Sequence, residues 1–181
     1  MSFLPENYQA PAASGGNYTK FAQGNTTIRI LGDSSKGTAI FGWEGWTEED
    51  GKRQPHRSVE KPPAGQFKEK PKHFWAFLVY NHEAEAVQIC QIVQRGIQDA
   101  LRALLNDSEW GALKDYDVTI QRKGEGLATN YTVLPKPKSI LSEGALAVVA
   151  EALPQINLSA LYDGEDPFAG METATEGGDP F

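Results

Sequence analysis

The run Phe74-Trp75-Ala76-Phe77-Leu78-Val79-Tyr80 contains no charged or amide side chain. A strand sends successive side chains to opposite faces. Phe74, Leu78 and Tyr80 therefore oppose Trp75, Phe77 and Val79, and both sets are apolar. A strand of this kind belongs at the centre of a sheet.

The rest of the chain is read outward from that strand. Thr26 to Leu31 is β-branched and alternating, Gly32 to Gly37 is a turn cluster, and Thr38 to Trp46 reads as a second strand. The pair is expected to form a hairpin. Residues 47–72 are polar and basic, with Pro55, Pro62, Pro63 and Pro71, and are expected to form a long functional loop. After the turn at Asn81-His82-Glu83, Ala86 to Ile92 returns as the partner of the central strand. Ile97, Ala100, Leu101, Leu104 and Leu105 have the spacing of a half-buried helix. Trp110, beside Gly111 at the frayed helix end, reads as an anchor to the core. Tyr116 to Arg122 and Thr129 to Leu134 are two more strands, with Gly124-Glu125-Gly126 in their connecting loop. Glu143 to Leu153 is a short helix stopped by Pro154.

This order predicts a mainly β fold: an OB-fold-like small antiparallel barrel with one inserted helix and a disordered acidic tail. A generic α+β sandwich is the competing architecture. Residues 1–17 are expected to be a flexible arm, 18–160 the folded domain and 161–181 the tail.

Charge divides along the chain. The net charge of the 181 residues is -7, but the segment from Tyr162 onward holds Asp163, Glu165, Asp166, Glu172, Glu176 and Asp179 and no Lys or Arg. The body before it is thus nearly neutral. Within the body, Lys52 to Lys72 places seven cations against Glu60 and Glu69. Opposite blocks of this kind say more about partners than their sum. Cys90 is the single cysteine, which excludes an internal disulfide and fits a reducing, cytoplasmic compartment. No apolar run is long enough for a membrane span and no leader pattern is seen, so membrane attachment and secretion are not expected.

Binding a single strand requires cations that track phosphates and flat rings on which bases stack. The rings available are Phe41, Trp43, Trp46, Phe74, Trp75, Phe77, Tyr80, Tyr116 and Tyr131. Alternation puts Phe41 and Trp43 on one strand face and Glu44 and Trp46 on the other. The DNA-binding set expected from rings and cations is Arg29, Trp43, Trp46, Lys52, Arg53, Arg57, Lys61, Lys68, Lys70, Lys72, Trp75, Phe77, Arg122, Lys123 and Tyr131. The tail repeats one element, as Glu165-Asp166-Pro167-Phe168 and Gly178-Asp179-Pro180-Phe181. Asp179, Pro180 and Phe181 are expected to dock on a partner protein, offering a ring beside a carboxylate.

Catalytic constellations are missing. Gly124-x-Gly126 does not precede a helix and is no phosphate cradle. Cys90, His56, His73 and His82 lack metal-ligand spacing, and no nucleophile elbow occurs. Glu83 and Glu85 read as solvated. Neither an enzyme activity, a metal nor a cofactor is expected.

Several of these residues resemble the phage-encoded single-stranded DNA-binding protein family. The likeness covers about residues 18–140. It rests on Tyr18-Thr19-Lys20-Phe21, Ile28-Arg29-Ile30-Leu31, Lys72 to Asn81 and Asp107-Ser108-Glu109-Trp110-Gly111. It continues through Tyr116 to Ile120, Gly124-Glu125-Gly126 and Thr129-Asn130-Tyr131 to Pro135. Asp179-Pro180-Phe181 is similar to the acidic, Phe-terminated tip of bacterial and phage single-strand binders. The resemblance implies an OB-fold, sequence-independent binding, and recruitment of replication proteins (polymerase, helicase or primase) through the tail. A zinc ligand set and a basic N-terminal arm, present in some members, are missing; residues 1–17 carry Glu6 and no Lys or Arg. The expected function is coating of single-stranded DNA in replication, recombination or repair, in the host cytoplasm if the protein is phage-encoded. The alternatives are a strand-annealing accessory protein, and an acidic interaction or inhibitor module that never touches DNA.

Overall fold

The apolar run occupies the middle of the sheet, as its two apolar faces require. In the computed structural model, which describes residues 16–171, it forms β4 (Lys72–Asn81). The other strands are β1 (Gly24–Ile30), β2 (Ala39–Glu49), β3 (Lys52–Ser58), β5 (Ala86–Ile92), β6 (Tyr116–Lys123) and β7 (Asn130–Lys138). Helix α1 (Arg95–Asn106) follows β5, and α2 (Glu143–Ala152) follows β7. The fold is mainly β: one seven-stranded sheet, paired antiparallel throughout, in the order β3-β2-β4-β1-β6-β7 with β5 on β4.

The sheet is not closed into a barrel: β3 and β7 stand at its ends without pairing to each other. The sequence of β7 suits an edge. Pro135 and Pro137 remove amide donors, and Lys136 and Lys138 discourage further pairing.

The expected hairpin between the first two strands does not form. β1 and β2 lie end to end along the same edge of β4, with Ile30 opposite Val79 and Ala39 opposite Phe77. Residues 32–37 are an excursion between them. Leu78 holds both ends of it, accepting from the Leu31 amide at 2.9 Å and donating to the Thr38 carbonyl at 3.0 Å. The turn cluster thus closes a loop within one interrupted strand instead of reversing the chain.

The expected loop over 47–72 is also corrected, because its first part is β3. β2 and β3 form a ribbon from Trp43↔Ser58 to Glu49↔Lys52. Asp50 and Gly51 turn it with φ of 51° and 77°, the left-handed pair that a tight primed turn demands.

Two cores sandwich the sheet. On one face Ile28, Val79, Cys90, Ile92, Val118 and Ile120 pack against Ile97 and Leu101 of α1. Trp110 packs against the same core, its ring 5.3 Å from that of Tyr116. On the other face Phe74, Ala76, Leu78 and Ile89 pack beneath Ala152 of α2 and the segment that follows it.

That segment corrects the expected start of the tail. A 3₁₀ turn spans Leu158–Asp163, and Phe168 is 3% exposed. Leu158, Leu161 and Phe168 supply the anchors, while Asp163, Glu165 and Asp166 face solvent. The acids dominate the composition and hide three apolar contacts. Asp179, Pro180 and Phe181, and residues 1–15 of the expected arm, lie outside the described residues. No helix among the described residues is long and apolar enough to cross a membrane.

Candidate nucleic-acid interface

The register of β2 against β4 sets rings beside rings. Phe41 opposes Trp75 and Trp43 opposes His73, all on the face that carries the α1 core. The Phe41 and Trp75 rings meet edge to face at 5.8 Å, and Trp43 and His73 lie 5.2 Å apart. Helix α1 leaves the Phe41 end of this face partly open. Phe41 is left 41% exposed, Trp43 and Trp75 are half-buried, and His73 is exposed.

The row continues up the ribbon. Gly45 follows Trp43 on the same face, and the Phe67 ring rests on it; a Cβ there would lie 2.4 Å from the ring. His56, opposite Gly45, sits 5.8 Å from Phe67 and bonds the Thr47 hydroxyl at 2.7 Å. Below the row, a groove of about 690 Å³ runs from Phe41 and Trp75 to Leu101 and Leu105 of α1. Lys36, Arg102 and Lys114 also line it. So does Asp33, whose carboxyl is held below its ordinary range by hydrogen bonds from the Ser35 hydroxyl and amide.

The expected cations separate into two kinds. Lys61 sits over the Trp43 ring at 5.1 Å from its centroid. Lys52 on the ribbon, Lys68 and Lys70 on the loop after it, and Lys72 at the start of β4 are exposed. Arg53 on the ribbon lies over the half-buried Trp46 at 5.1 Å and reaches Glu69 of the following loop at 3.2 Å, both charged groups facing solvent. Arg57 differs: Nε donates to Glu44 Oε2 at 3.0 Å and Nη2 to Gln91 Oε1 at 3.0 Å, both under partial burial. Gln91 completes this triad by donating to the same Glu44 oxygen at 2.6 Å. Arg29 is 3% exposed and is consumed by Asp117 at 2.8 Å and by the carbonyl and hydroxyl of Ser139. His82 bonds the same Asp117 oxygen at 2.9 Å. The geometry makes Arg29 and Arg57 clamps between strands.

The rings divide likewise. Phe77 is buried in the α1 core, and Phe74, Tyr80 and Tyr116 are buried too, so none of them offers a free face. Trp46 lies on the opposite side of β2 from Trp43. Tyr131 belongs to a second cluster on β6 and β7. It opposes Arg122 and packs edge to face on Phe21 at 6.2 Å. Arg122 donates from Nη1 to the Phe21 carbonyl at 2.9 Å, and Lys123 beside it is exposed.

The main row therefore joins Trp43, Trp75 and Lys61 of the expected set. It adds Phe41, His73, Phe67, Lys36, Arg102 and Lys114. His73 and Phe67 flank runs already marked as aromatic and basic. Lys36, Arg102 and Lys114 come from three distant segments, and no local pattern joins them.

Chemically, the arrangement is a set of half-open π faces beside cations over an apolar floor. Among the described residues no cluster of metal-ligating side chains occurs. No protein-family model matches the chain, and no curated protein matches it at a significant level.

Proposed function

We propose that this protein binds single-stranded DNA without reading its sequence and protects it during replication, recombination or repair. The row Trp75/Phe41, Trp43/His73 and Phe67/His56 along β2 carries the reading. Every base has a π face, so a file of half-exposed rings accepts any sequence. Lys61 already occupies the Trp43 face and would yield it to a base while keeping contact with the phosphate. Lys36, Arg102 and Lys114 along the groove, with the exposed lysines of the ribbon, supply the electrostatic share.

An OB-related architecture is part of this proposal. β1 pairs with β6 along its length and with β4 at its end, and a single helix is inserted between β5 and β6. The bridging of β4 and β6 by one strand, with one inserted helix, is what supports this reading.

Asp179, Pro180 and Phe181 form the proposed contact to a replication protein. Support comes from the internal copy. Asp166 Oδ1 accepts from the Phe168 amide at 2.9 Å, the Asn157 amide donates to the Pro167 carbonyl at 2.9 Å, and the ring is sunk in an apolar seat. The tripeptide is thus a compact device for presenting a phenyl ring to a pocket.

Fluorescence titration of labelled oligo-dT and of duplex DNA at two salt concentrations tests the proposal. Tight oligo-dT binding that weakens steeply with salt, and much weaker duplex binding, is the expected result. Equal affinity for both, or affinity indifferent to salt, excludes it.

A further inference from the structure

The loop between β6 and β7 holds a leucine that nothing in the described chain covers: Leu127 is fully exposed. A lone exposed leucine is by itself ordinary on a protein surface. Here the backbone holds it out. Gly124 has φ +82°, and a Cβ on it would lie 2.2 Å from the Ala128 carbonyl oxygen, so the two sides of the loop touch. The Ala128 amide donates to Glu125 at 3.0 Å and the Thr129 amide to Gly126 at 3.2 Å, closing a 3₁₀ turn at Gly126–Ala128. The Gln23 side chain donates to the Gly124 carbonyl and ties the loop to the segment before β1.

The base of the loop has the chemistry of a strand contact. Lys123 opposes Asn130 in the last pair, and Arg122 opposes Tyr131 in the one before it. Arg122 is fixed by the Phe21 carbonyl, and the Tyr131 ring by Phe21. An apolar tip held out by its backbone, with Arg122 and Tyr131 on one face of its base and Lys123 on the other, is of the kind with which proteins part neighbouring bases.

We propose that Leu127 is such a wedge: it enters between stacked bases of a bound strand, so that the protein unstacks DNA as well as coating it. The inference rests on the single-strand reading above, and the test separates the two. A single strand with 2-aminopurine inside an adenine run is dim while stacked and brightens when its neighbours part. Full-length wild-type protein at saturation should brighten it. Leu127→Ala should lose that rise, and Leu127→Met, of similar reach, should restore it. All three proteins should keep the same thermal midpoint, since Leu127 packs on nothing, and all three should still bind oligo-dT through the ring row. If Leu127→Ala binds oligo-dT normally and brightens the probe as wild type does, the wedge is overturned and the binding reading stands. If wild-type protein binds no single strand at all, both are overturned.

Discussion

At the scale of single residues, the fold sorts aromatics by what lies on the ring's free side. Phe74 is closed in by the second core, whereas Trp43 and Trp75 each keep part of a face open. Trp43→Ala and Trp75→Ala should each lower oligo-dT affinity by about 1–3 kcal/mol. Trp43→Ala should leave unfolding nearly unchanged, whereas Trp75→Ala should also lose some stability because its ring packs on the first core. Phe74→Ala should cost about 3–5 kcal/mol of stability, with unchanged affinity per folded molecule. Paired denaturant melts and titrations distinguish these outcomes. The same sorting separates two arginines that look alike in the sequence. Arg53→Ala removes a cation in solvent; Arg57→Ala leaves the buried Glu44 carboxylate without its ion pair, a loss on the order of 3–5 kcal/mol when a buried pair is broken. Arg57→Ala should therefore depress the thermal midpoint sharply, and Lys52, Arg53 and Lys61 changed together to Ala should not. The triple variant should instead bind DNA more weakly and with a flatter salt slope. Cys90 illustrates the closed side of the molecule. Burial pushes its thiol from 9.0 up to about 12, so iodoacetamide should modify it only after denaturant unfolds the chain. The sign follows: the raised value favours the protonated folded state, a contribution complete below pH 9 and lost as pH rises toward 12.

At the scale of elements, what could be read from sequence depended on how local the evidence was. β4 and β5 were legible because one is doubly apolar and the other follows it across a short turn. α1 was legible from its spacing. The ribbon has only Asp50-Gly51 to announce it, a dipeptide outweighed by the prolines and lysines around it. The end-to-end placement of β1 and β2 had no local signal. It is decided by Leu78 on a strand 40 residues further on. The site followed the same rule: Trp43, Trp75 and Lys61 lie in conspicuous runs, whereas Arg102 and Lys114 reach the groove only through tertiary packing. The ribbon turn offers a test. Gly51→Val forces a β-branched residue to φ 77°. It should fray β2 and β3 from the tip, loosen the seat of Phe67 on Gly45, and weaken oligo-dT binding more than it lowers the thermal midpoint. A midpoint loss as large as that of Phe74→Ala would instead make the ribbon part of the folding core.

At the scale of the whole molecule, the acidic end packs onto the body as far as the described residues run, to Met171. Up to that residue the acids ride on a strap. Leu158, Leu161 and Phe168 are sunk in the second core, the Tyr162 hydroxyl donates to the Phe41 carbonyl at 2.9 Å, and Gly170 lies against Gln155. Removing the strap uncovers Phe74 and Leu78, so truncation after Gln155 should unfold the protein or leave it aggregated. Truncation after Met171 removes Glu172, Glu176 and Asp179 and none of those anchors. The shorter protein should melt at the wild-type temperature. Its DNA binding should tighten, because tethered carboxylates compete with phosphates for the same cations at high effective concentration. The gain should be largest at low salt, where charges are least screened, and should vanish near 1 M, where the screening length is about 3 Å. Changing Glu172, Glu176 and Asp179 to their amides should reproduce the gain without shortening the chain. Deleting Phe181 alone should leave DNA affinity unmoved and abolish capture of a replication partner. If the chain ending at Met171 binds DNA no more tightly than the full chain at low salt, the acids act on something other than this groove. If it melts early, residues beyond Met171 belong to the strap as well.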